Sequence, residues 1–277
     1  KIVGKPPQFD FEPLDHAALG EKHDLFDIDR AVKVSGSRFT YIKNEAALLQ
    51  MALIRYTWDI LMKRGFAPVI PPVLAKIDSV VRAGHPEALS EDAYRTAMDD
   101  LALVGSSEQS LVNMYMDETL AVEALPIRYT GYSTCFRREA GTYGKDTRGI
   151  LRQHQFDKIE MVSFTKPEAS AEELEFLVET QEKLLSGLEL PYQVVDICTG
   201  DMGFSGAKQV DMEVWIPSQG KYRETHSASN CRDFQTRRLN TKYKNTEGKK
   251  EYVHALNATA FAVGRILIAL LENHQQK

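Results

Sequence analysis

The residues from Cys135 to Glu160 constrain the fold of this chain more than any other segment. They read CFRREAGTYGKDTRGILRQHQFDKIE, with charged residues at every second position on segments rich in strand-forming residues. Side chains two positions apart on a strand share one face of a sheet, so this pattern predicts a hairpin with one polar face. A glycine-flanked basic loop at residues 141–149 would join the two strands. The residues predicted to share the polar face are Arg137 and Glu139 on the first strand and Arg152, His154, Phe156, Lys158 and Glu160 on the second.

Such a polar face has two interpretations. Arginines, acids and an aromatic ring on one surface suit a flat, charged ligand. Alternatively, the face is the solvated outer side of an antiparallel hairpin, which is a common arrangement.

Composition excludes several other classes of protein. With 277 residues, 43% of them hydrophobic and 26% charged, the chain is typical of a globular protein. A net charge of −5 argues against non-specific nucleic-acid binding, although a local basic patch stays open. Cys135, Cys198 and Cys231 are far apart and form no CxxC pair, which favours a reducing, cytoplasmic location over a zinc site or disulfide framework. No apolar run reaches membrane-spanning length, so we expect no membrane partner.

The remaining segments alternate between strand and helix patterns. Apolar residues at helical spacing predict long helices at 45–64 and 168–187, a further helical segment at 109–123, a short helix at 232–240 and a closing helix at 257–273. Strands are predicted near 38–42, 66–70, 100–104, 192–198, 210–216 and 221–227. This order predicts an α+β fold in which helices flank a mainly antiparallel sheet.

Two groups of oxygen-bearing side chains lie outside the hairpin. Ser106 and Glu108 follow a predicted strand and could hold an ammonium group, or Ser106 or Ser107 could simply cap a turn. Glu224 and Ser227 carry the oxygen ligands that Mg²⁺ prefers, but a solvated strand edge would look the same.

The end of the chain contributes polar residues to an otherwise apolar segment. Asn257 and Thr259 could cap the predicted closing helix. Arg265 interrupts the apolar run AFAVGRILIALLE, and a buried arginine needs a partner because an unpaired buried charge is costly. That partner could be a phosphate or an acidic side chain.

Several of these segments together resemble a known family. The pieces GFAPVIPPVL, FRREAG…RGILRQHQFDKIE and LNATAFAVGRILIALLE look like the three motifs of class II aminoacyl-tRNA synthetases, in the family's order. The block ETHSASNCRDFQTRRLNTKY is similar to a segment of the seryl-tRNA synthetases, and the resemblance covers nearly the whole chain. It implies that residues 1–277 form a single catalytic domain of the class II fold. Because the chain begins at Lys1 rather than Met, we expect a fragment without the family's N-terminal coiled-coil arm.

The resemblance also implies roles for individual residues. Arg137, Arg265 and Glu224 would be catalytic, and Glu224 with Ser227 would bind Mg²⁺. The residues implied in ATP binding are Arg137, Glu139, Arg148, Arg152, Phe156, Glu224, Ser227 and Arg265. Those implied in serine binding are Ser106, Glu108, Arg137, Glu160, Asn257 and Thr259. The family often has threonine where this chain has Ser106, and a homodimer would form through the motif that ends at Pro72.

The implied activity is ATP-dependent activation of L-serine to seryl-adenylate, followed by transfer of serine to tRNA(Ser). One alternative is a synthetase-like ligase that passes the amino acid to a carrier protein, which the missing arm would permit. The zinc-ligand cysteines typical of such ligases are not evident, however. Another alternative is an inactive paralogue, although such proteins usually lose the arginines and acids that are intact here.

Overall fold

A large sheet organises the residues described by the computed structural model, which are 1–140 and 148–277. All of its pairings are antiparallel except the last, where β4 runs parallel to β8. The predicted mainly antiparallel α+β fold is therefore confirmed. In spatial order the strands of this sheet are β1 (Ile2–Val3), β10 (Tyr192–Asp196), β11 (Lys208–Ile216), β12 (Lys221–Asn230), β15 (His254–Ala262), β9 (Gln155–Thr165), β8 (Ile127–Phe136) and β4 (Ala67–Val69).

Smaller sheets and helices surround this main sheet. The short strands are β2 (Phe26–Asp27) with β3 (Tyr41–Ile42), β5 (Leu74–Lys76) with β6 (Leu101–Leu103), and β7 (Thr119–Ala121) with β13 (Lys242–Lys244) and β14 (Lys250–Tyr252). The helices are α1 (His16–Lys22), α2 (Ile28–Ser35), α3 (Asn44–Lys63), α4 (Ile77–Arg82), α5 (Glu108–Leu111), α6 (Ser170–Gly187), α7 (Phe234–Arg238) and α8 (Val263–Asn273). Short 3₁₀ turns lie at Pro86–Leu89, Val112–Tyr115, Val122–Ala124, Pro167–Ala169 and Pro217–Gln219.

The long helices cover one face of the sheet and enclose the main core. Leu61 of α3, Leu177 of α6 and Leu267 of α8 are fully buried in one apolar cluster with Ile159 and Met212 of the sheet. Burying each such side chain contributes about 1.5–3 kcal/mol. The predicted helix at 45–64 is confirmed within a residue and ends before Gly65, whose φ of +86° a helix cannot continue through.

Two predicted helices were partly wrong. The segment 109–123 is interrupted after Tyr115, because Asp117 takes a left-handed φ of +63° and the chain then pairs as β7 before a 3₁₀ turn begins at Val122. The predicted closing helix begins only at Val263, since residues 254–262 form β15. That strand lies between β12 and β9 and is largely buried, so its near-continuous apolar run resembles a buried helix. Asn257 and Thr259 are therefore strand residues and do not cap α8.

Within residues 1–140 and 148–277, each helix is too short or too polar to cross a lipid bilayer.

Candidate active site

The predicted polar hairpin is formed by β8 and β9. Phe156 pairs with Cys135, and Lys158 and Glu160 follow at spacings of two along β9. The prediction that Arg152 and His154 belong to the second strand was wrong, because β9 begins only at Gln155. The prediction that Arg137 and Glu139 belong to the first strand was also wrong, because β8 ends at Phe136 and Glu139 takes a left-handed φ of +54°. The joining loop at 141–147 lies outside the described residues.

The two residues that precede β9 differ in where they point. The Arg152 side chain still reaches the cavities of the hairpin. The His154 ring instead packs 5.4 Å from the ring of Phe39, and its Nδ1 lies 2.9 Å from the Arg137 carbonyl oxygen. His154 therefore supports the main chain of the hairpin.

Two adjoining cavities lie on the polar side of this hairpin. The first cavity, of about 460 Å³, is lined by residues that include Ser106 and Glu108. The second cavity, of about 150 Å³, is lined by residues that include Phe156 and Arg265. The residues that line both cavities are Arg137, Glu139, Arg152 and Lys158. Positive charge is thus concentrated where the two cavities meet.

The first cavity contains a buried and heavily bonded carboxylate, Glu108, at the start of α5. Its Oε1 accepts hydrogen bonds from Gln235 Nε2 at 2.8 Å and Asn257 Nδ2 at 3.0 Å, and His85 Nε2 lies 3.3 Å away. Burial alone would raise the pKa of this carboxyl, but His85, Gln235 and the charge on Lys158 outweigh burial and hold the pKa below its usual value. Glu108 therefore presents a fixed negative charge suited to a cationic group.

The pKa of a second carboxyl, Glu160, is shifted in the opposite direction. Glu160 is only 1% exposed, and burial raises its pKa although the paired Lys158 ammonium opposes that rise. Ser106 bridges the pair, because its Oγ accepts from Lys158 Nζ and donates to Glu160 Oε2, each at 3.3 Å. Ser106 is thus part of the site, and its Oγ also accepts from the Glu108 backbone N–H at 3.3 Å, so it caps the turn before α5 as well.

The second cavity combines an aromatic ring with guanidinium groups. The Arg137 guanidinium lies 5.4 Å from the centre of the Phe156 ring, and its Nε donates to the Gly105 carbonyl at 3.2 Å. Arg265 is half-buried and donates from Nη1 to the Glu224 carbonyl at 2.8 Å, with Glu224 Oε1 at 3.3 Å. Of the two predicted partners of Arg265, a phosphate or an acidic side chain, this structure therefore contains the acidic side chain. A ring beside planar cations can hold a flat aromatic group that carries phosphates.

The remaining arginines on the predicted site list have acidic partners. Arg152 Nη1 donates to Glu139 Oε2 at 2.5 Å, and both residues line the two cavities. Arg148 lies elsewhere, with Nη1 at 3.3 Å from the Asp15 carboxylate, and it lines neither cavity. Besides Arg152 and Glu139, eight of the predicted residues border the two cavities directly, and Glu160 and Asn257 reach them through their bonds to Ser106 and Glu108.

Glu224 and Ser227 face the second cavity together because β12 is irregular between them. Residues three apart on a regular strand point to opposite faces. The register of β12 against β11 shifts here, so that Glu224 pairs with Glu213 and His226 with Met212, which leaves Thr225 as the extra residue of a β-bulge. Because of the bulge, the side chains of Glu224 and Ser227 lie on the same side of the strand and line the second cavity. β12 pairs with β15 only at residues 228–230 and Glu224 is exposed, so Glu224 lies on a solvated stretch of the strand, as the alternative interpretation had it, and also borders the second cavity.

The donors around this bulge fit a hard divalent cation. Glu224 supplies a carboxylate and Ser227 a hydroxyl, and Asp211 pairs with Ser227 on β11. Burial raises the pKa of Asp211, and the Glu224 charge adds to that effect. Clusters of three or more histidine, cysteine or acidic ligands are absent from the described part of the chain. This donor set matches Mg²⁺, which keeps waters and phosphate oxygens in its shell, better than a fully protein-bound metal.

Three residues of the site were not predicted as such. They are His85 in the loop after α4, Gln235 of α7 and Lys158 of β9, and they surround Glu108 and Glu160. Lys158 was placed on the polar face but given no role there. For Gln235 the only sequence signal is a polar residue inside the block SNCRDFQTRR, and His85 lies in a loop that carries no pattern.

Comparisons with known proteins agree with this geometry. Residues 92–274 match the tRNA synthetase class II core domain (G, H, P, S and T). The chain is 51% identical over 274 residues to a serine–tRNA ligase of Sulfurihydrogenibium sp. (strain YO3AOP1), covering 99% of this chain and 66% of that protein.

Two solved structures share the fold. Seryl-tRNA synthetase from Pyrococcus horikoshii, complexed with ATP, superposes with a TM-score of 0.94 at 46% identity, over 97% of this chain and 60% of that one. A cytoplasmic serine–tRNA ligase from Naegleria fowleri, in complex with AMP, also gives 0.94, at 33% identity over 100% of this chain and 67% of that one. This chain thus spans about two thirds of the length of such relatives. It belongs to the class II tRNA synthetase family and, within that family, groups with the serine–tRNA ligases.

Proposed function

We propose that this chain activates L-serine with ATP to form seryl-adenylate and then transfers serine to a terminal ribose hydroxyl of tRNA(Ser). The observation that carries the proposal is the position of Arg137, which lines both the acidic first cavity and the aromatic second cavity. A group at that junction can contact two substrates at their point of reaction. On this proposal residues 1–277 form one catalytic domain.

In the first step two anions must meet. A serine carboxylate oxygen attacks the α-phosphorus of ATP, the bond to the bridging oxygen breaks, and pyrophosphate leaves with the electron pair. Arg137 holds the carboxylate and the α-phosphate in line and offsets their repulsion, because its planar fork matches both groups. No protein nucleophile is required for this step.

In the second step the ribose hydroxyl oxygen attacks the seryl carbonyl carbon. The carbon–oxygen bond to the phosphate breaks, AMP leaves, and the hydroxyl proton passes to the departing phosphate. The arginines at the junction remain beside the phosphate throughout and stabilise the charge that develops on it.

The first cavity would hold serine. Glu108 pairs with the ammonium group, while Ser106 and Glu160 supply polar partners for the hydroxyl, together with Thr259, which pairs with Glu160 and lines the adjoining second cavity. A site built to bond a hydroxyl discriminates against an analogue that lacks it by roughly 10⁴–10⁵, because its polar groups are left unpaired. We therefore expect alanine and glycine to be rejected strongly.

The second cavity would hold the nucleotide. Phe156 and Arg265 stack on the two faces of adenine, and Glu139 accepts a hydrogen bond from its amino group. Arg152 binds the outer phosphates, joined by Arg148 if it exchanges Asp15 for a phosphate oxygen. Glu224 and Ser227 would ligate Mg²⁺, which supplies positive charge beside the phosphates.

The exposed face of α3 supports the proposed homodimer. Leu48 is 73% exposed and Met51 59%, and Ile70, which follows β4, is 73% exposed. Pro72, two residues after Ile70, is also exposed, and its carbonyl accepts a hydrogen bond from Ser110 Oγ at 2.7 Å. A self-complementary pairing of this surface would bury these side chains. The cytoplasmic location stays a prediction from the scattered cysteines.

Serine-dependent exchange of labelled pyrophosphate into ATP tests the proposal, with alanine and threonine as comparison amino acids. We expect exchange with serine far above both. A folded sample that shows no exchange with serine would refute the proposed activity. Incubation with labelled serine, tRNA and candidate carrier proteins then identifies the acceptor, which we expect to be tRNA.

A further inference from the structure

Helix α7 connects the first cavity to an aromatic surface. Its residue Gln235 is buried and donates to Glu108 Oε1 at 2.8 Å. The neighbouring Arg237 and Arg238 are exposed on the other side of the helix. A single short helix thus contacts the proposed serine site with one face and carries cationic groups on the other.

An exposed phenyl ring lies beside this outer face. Phe204, in the loop 197–207 between β10 and β11, is 72% exposed and packs edge-to-face on Phe234 with ring centres 5.4 Å apart. Phe234 also covers Gly84, where a Cβ atom would lie only 2.7 Å from the ring. The residue after Gly84 is His85, which lines the first cavity. The pair of rings therefore lies next to the cavity wall.

Arginines surround these rings. The Arg238 guanidinium lies 4.3 Å from the Phe234 ring centre, and the Arg237 guanidinium lies 5.8 Å from it. Arg82 donates to the Arg238 carbonyl at 3.0 Å and so adds a further cation nearby. The acid beside them is Asp233, at 3.8 Å from Arg237. We name Phe204, Phe234, Arg237 and Arg238 the aromatic patch.

We propose that the aromatic patch binds the unpaired nucleotides next to the 3′ end of the RNA acceptor. This inference rests on the proposed function. An acceptor must bring its terminal ribose into the first cavity, so the preceding nucleotides must cross the adjacent surface as a single strand. Exposed phenyl rings stack on unpaired bases of any sequence, and arginines contact the phosphates between them. The overall charge of −5 makes a local cationic surface necessary for such contact.

The test uses a short fluorescein-labelled single-stranded RNA and measures binding by fluorescence anisotropy over a range of salt concentrations. Phe204→Ala should weaken binding about tenfold, because base stacking on an aromatic ring is lost, and Phe204→Tyr should restore it. Arg238→Ala should reduce the slope of log affinity against log salt by about 0.7, as expected for one lost phosphate contact on a single strand. The matched control is Val34→Ala, because Val34 is as exposed and apolar as Phe204 but lies on α2.

Pyrophosphate exchange measured on the same samples separates this inference from the proposed function. Normal exchange together with weakened RNA binding in Phe204→Ala supports the inference. If the wild type binds no single-stranded RNA, or if Phe204→Ala binds as the wild type does, the inference is overturned even when exchange is normal. If the wild type shows no exchange but Phe204→Ala still binds RNA more weakly than the wild type does, RNA binding by the aromatic patch is supported and the proposed function is refuted.

Discussion

Glu224 and Ser227, three residues apart on β12, both face the second cavity because the strand bulges at Thr225. Without the bulge one of them would point into the core on the opposite face of the sheet. The geometry therefore creates an oxygen-lined position next to Arg265 that the sequence spacing alone would not produce.

Removing either oxygen should weaken the dependence on magnesium. We expect Glu224→Gln and Ser227→Ala each to raise the Mg²⁺ concentration for half-maximal exchange by roughly 10- to 100-fold. Glu213→Gln changes the acid opposite Glu224 on β11 and is the matched control. An unchanged magnesium titration in Glu224→Gln would show that the metal is bound elsewhere.

Replacing Glu108 should affect serine more than ATP. A buried hydrogen bond to a charged group is worth about 1.5–3 kcal/mol, so Glu108→Gln should raise the KM for serine by about 10- to 150-fold. The KM for ATP should change little, because Glu108 does not line the second cavity. Glu118→Gln, at an exposed position, controls for the loss of one charge. Equal rises in both KM values would contradict the assignment of serine to the first cavity and of ATP to the second.

The buried Glu272 should make stability depend on acid pH. Burial would raise its pKa, but hydrogen bonds from His16 and from Ser218 prevail and lower it. A carboxyl with a depressed folded pKa stabilises the protein above its unfolded pKa of about 4.5. That stabilisation is lost as pH falls through the lower folded pKa.

Glu272→Gln measures this contribution directly. The variant should be less stable than the wild type by about 1–3 kcal/mol in urea unfolding at pH 7. The difference should shrink as the pH is lowered below about 4.5, where the wild-type carboxyl also becomes protonated. A difference that stays constant from pH 7 to pH 3.5 would mean that the carboxylate charge plays no part.

The apolar surface of α3 should hold two copies together. Leu48→Glu places a charge in the proposed interface, and we expect sedimentation velocity to show a shift from dimer to monomer. Lys33→Glu, on the exposed side of α2, is the control. A wild-type chain that sediments as a monomer at all concentrations tested would contradict the homodimer.

Residues with strong periodicity were predictable from the sequence. The alternation of Phe156, Lys158 and Glu160 gave the polar face of β9, and the helical spacing gave α3 and α6. By contrast, β15 could not be told from the helix that follows it, because a strand with neighbours on both sides and both faces buried loses its alternation.

Contacts between distant segments were not predictable. The bulge at Thr225 depends on the pairing of β12 with β11, which no local pattern encodes. His85 and Gln235 meet Glu108 only because the loop after α4 and the helices α5 and α7 come together at the first cavity. Their roles follow from tertiary packing, whereas the arginines were identified through the family resemblance.

The role of Arg137 at the junction of the two cavities is the central claim, and its substitution tests that claim most directly. We expect Arg137→Ala to abolish serine-dependent pyrophosphate exchange while the far-ultraviolet circular dichroism spectrum and the urea midpoint stay close to those of the wild type. Arg138→Ala, at the next residue, whose guanidinium lies over Tyr94, should retain exchange. Normal exchange by a folded Arg137→Ala variant would contradict the account.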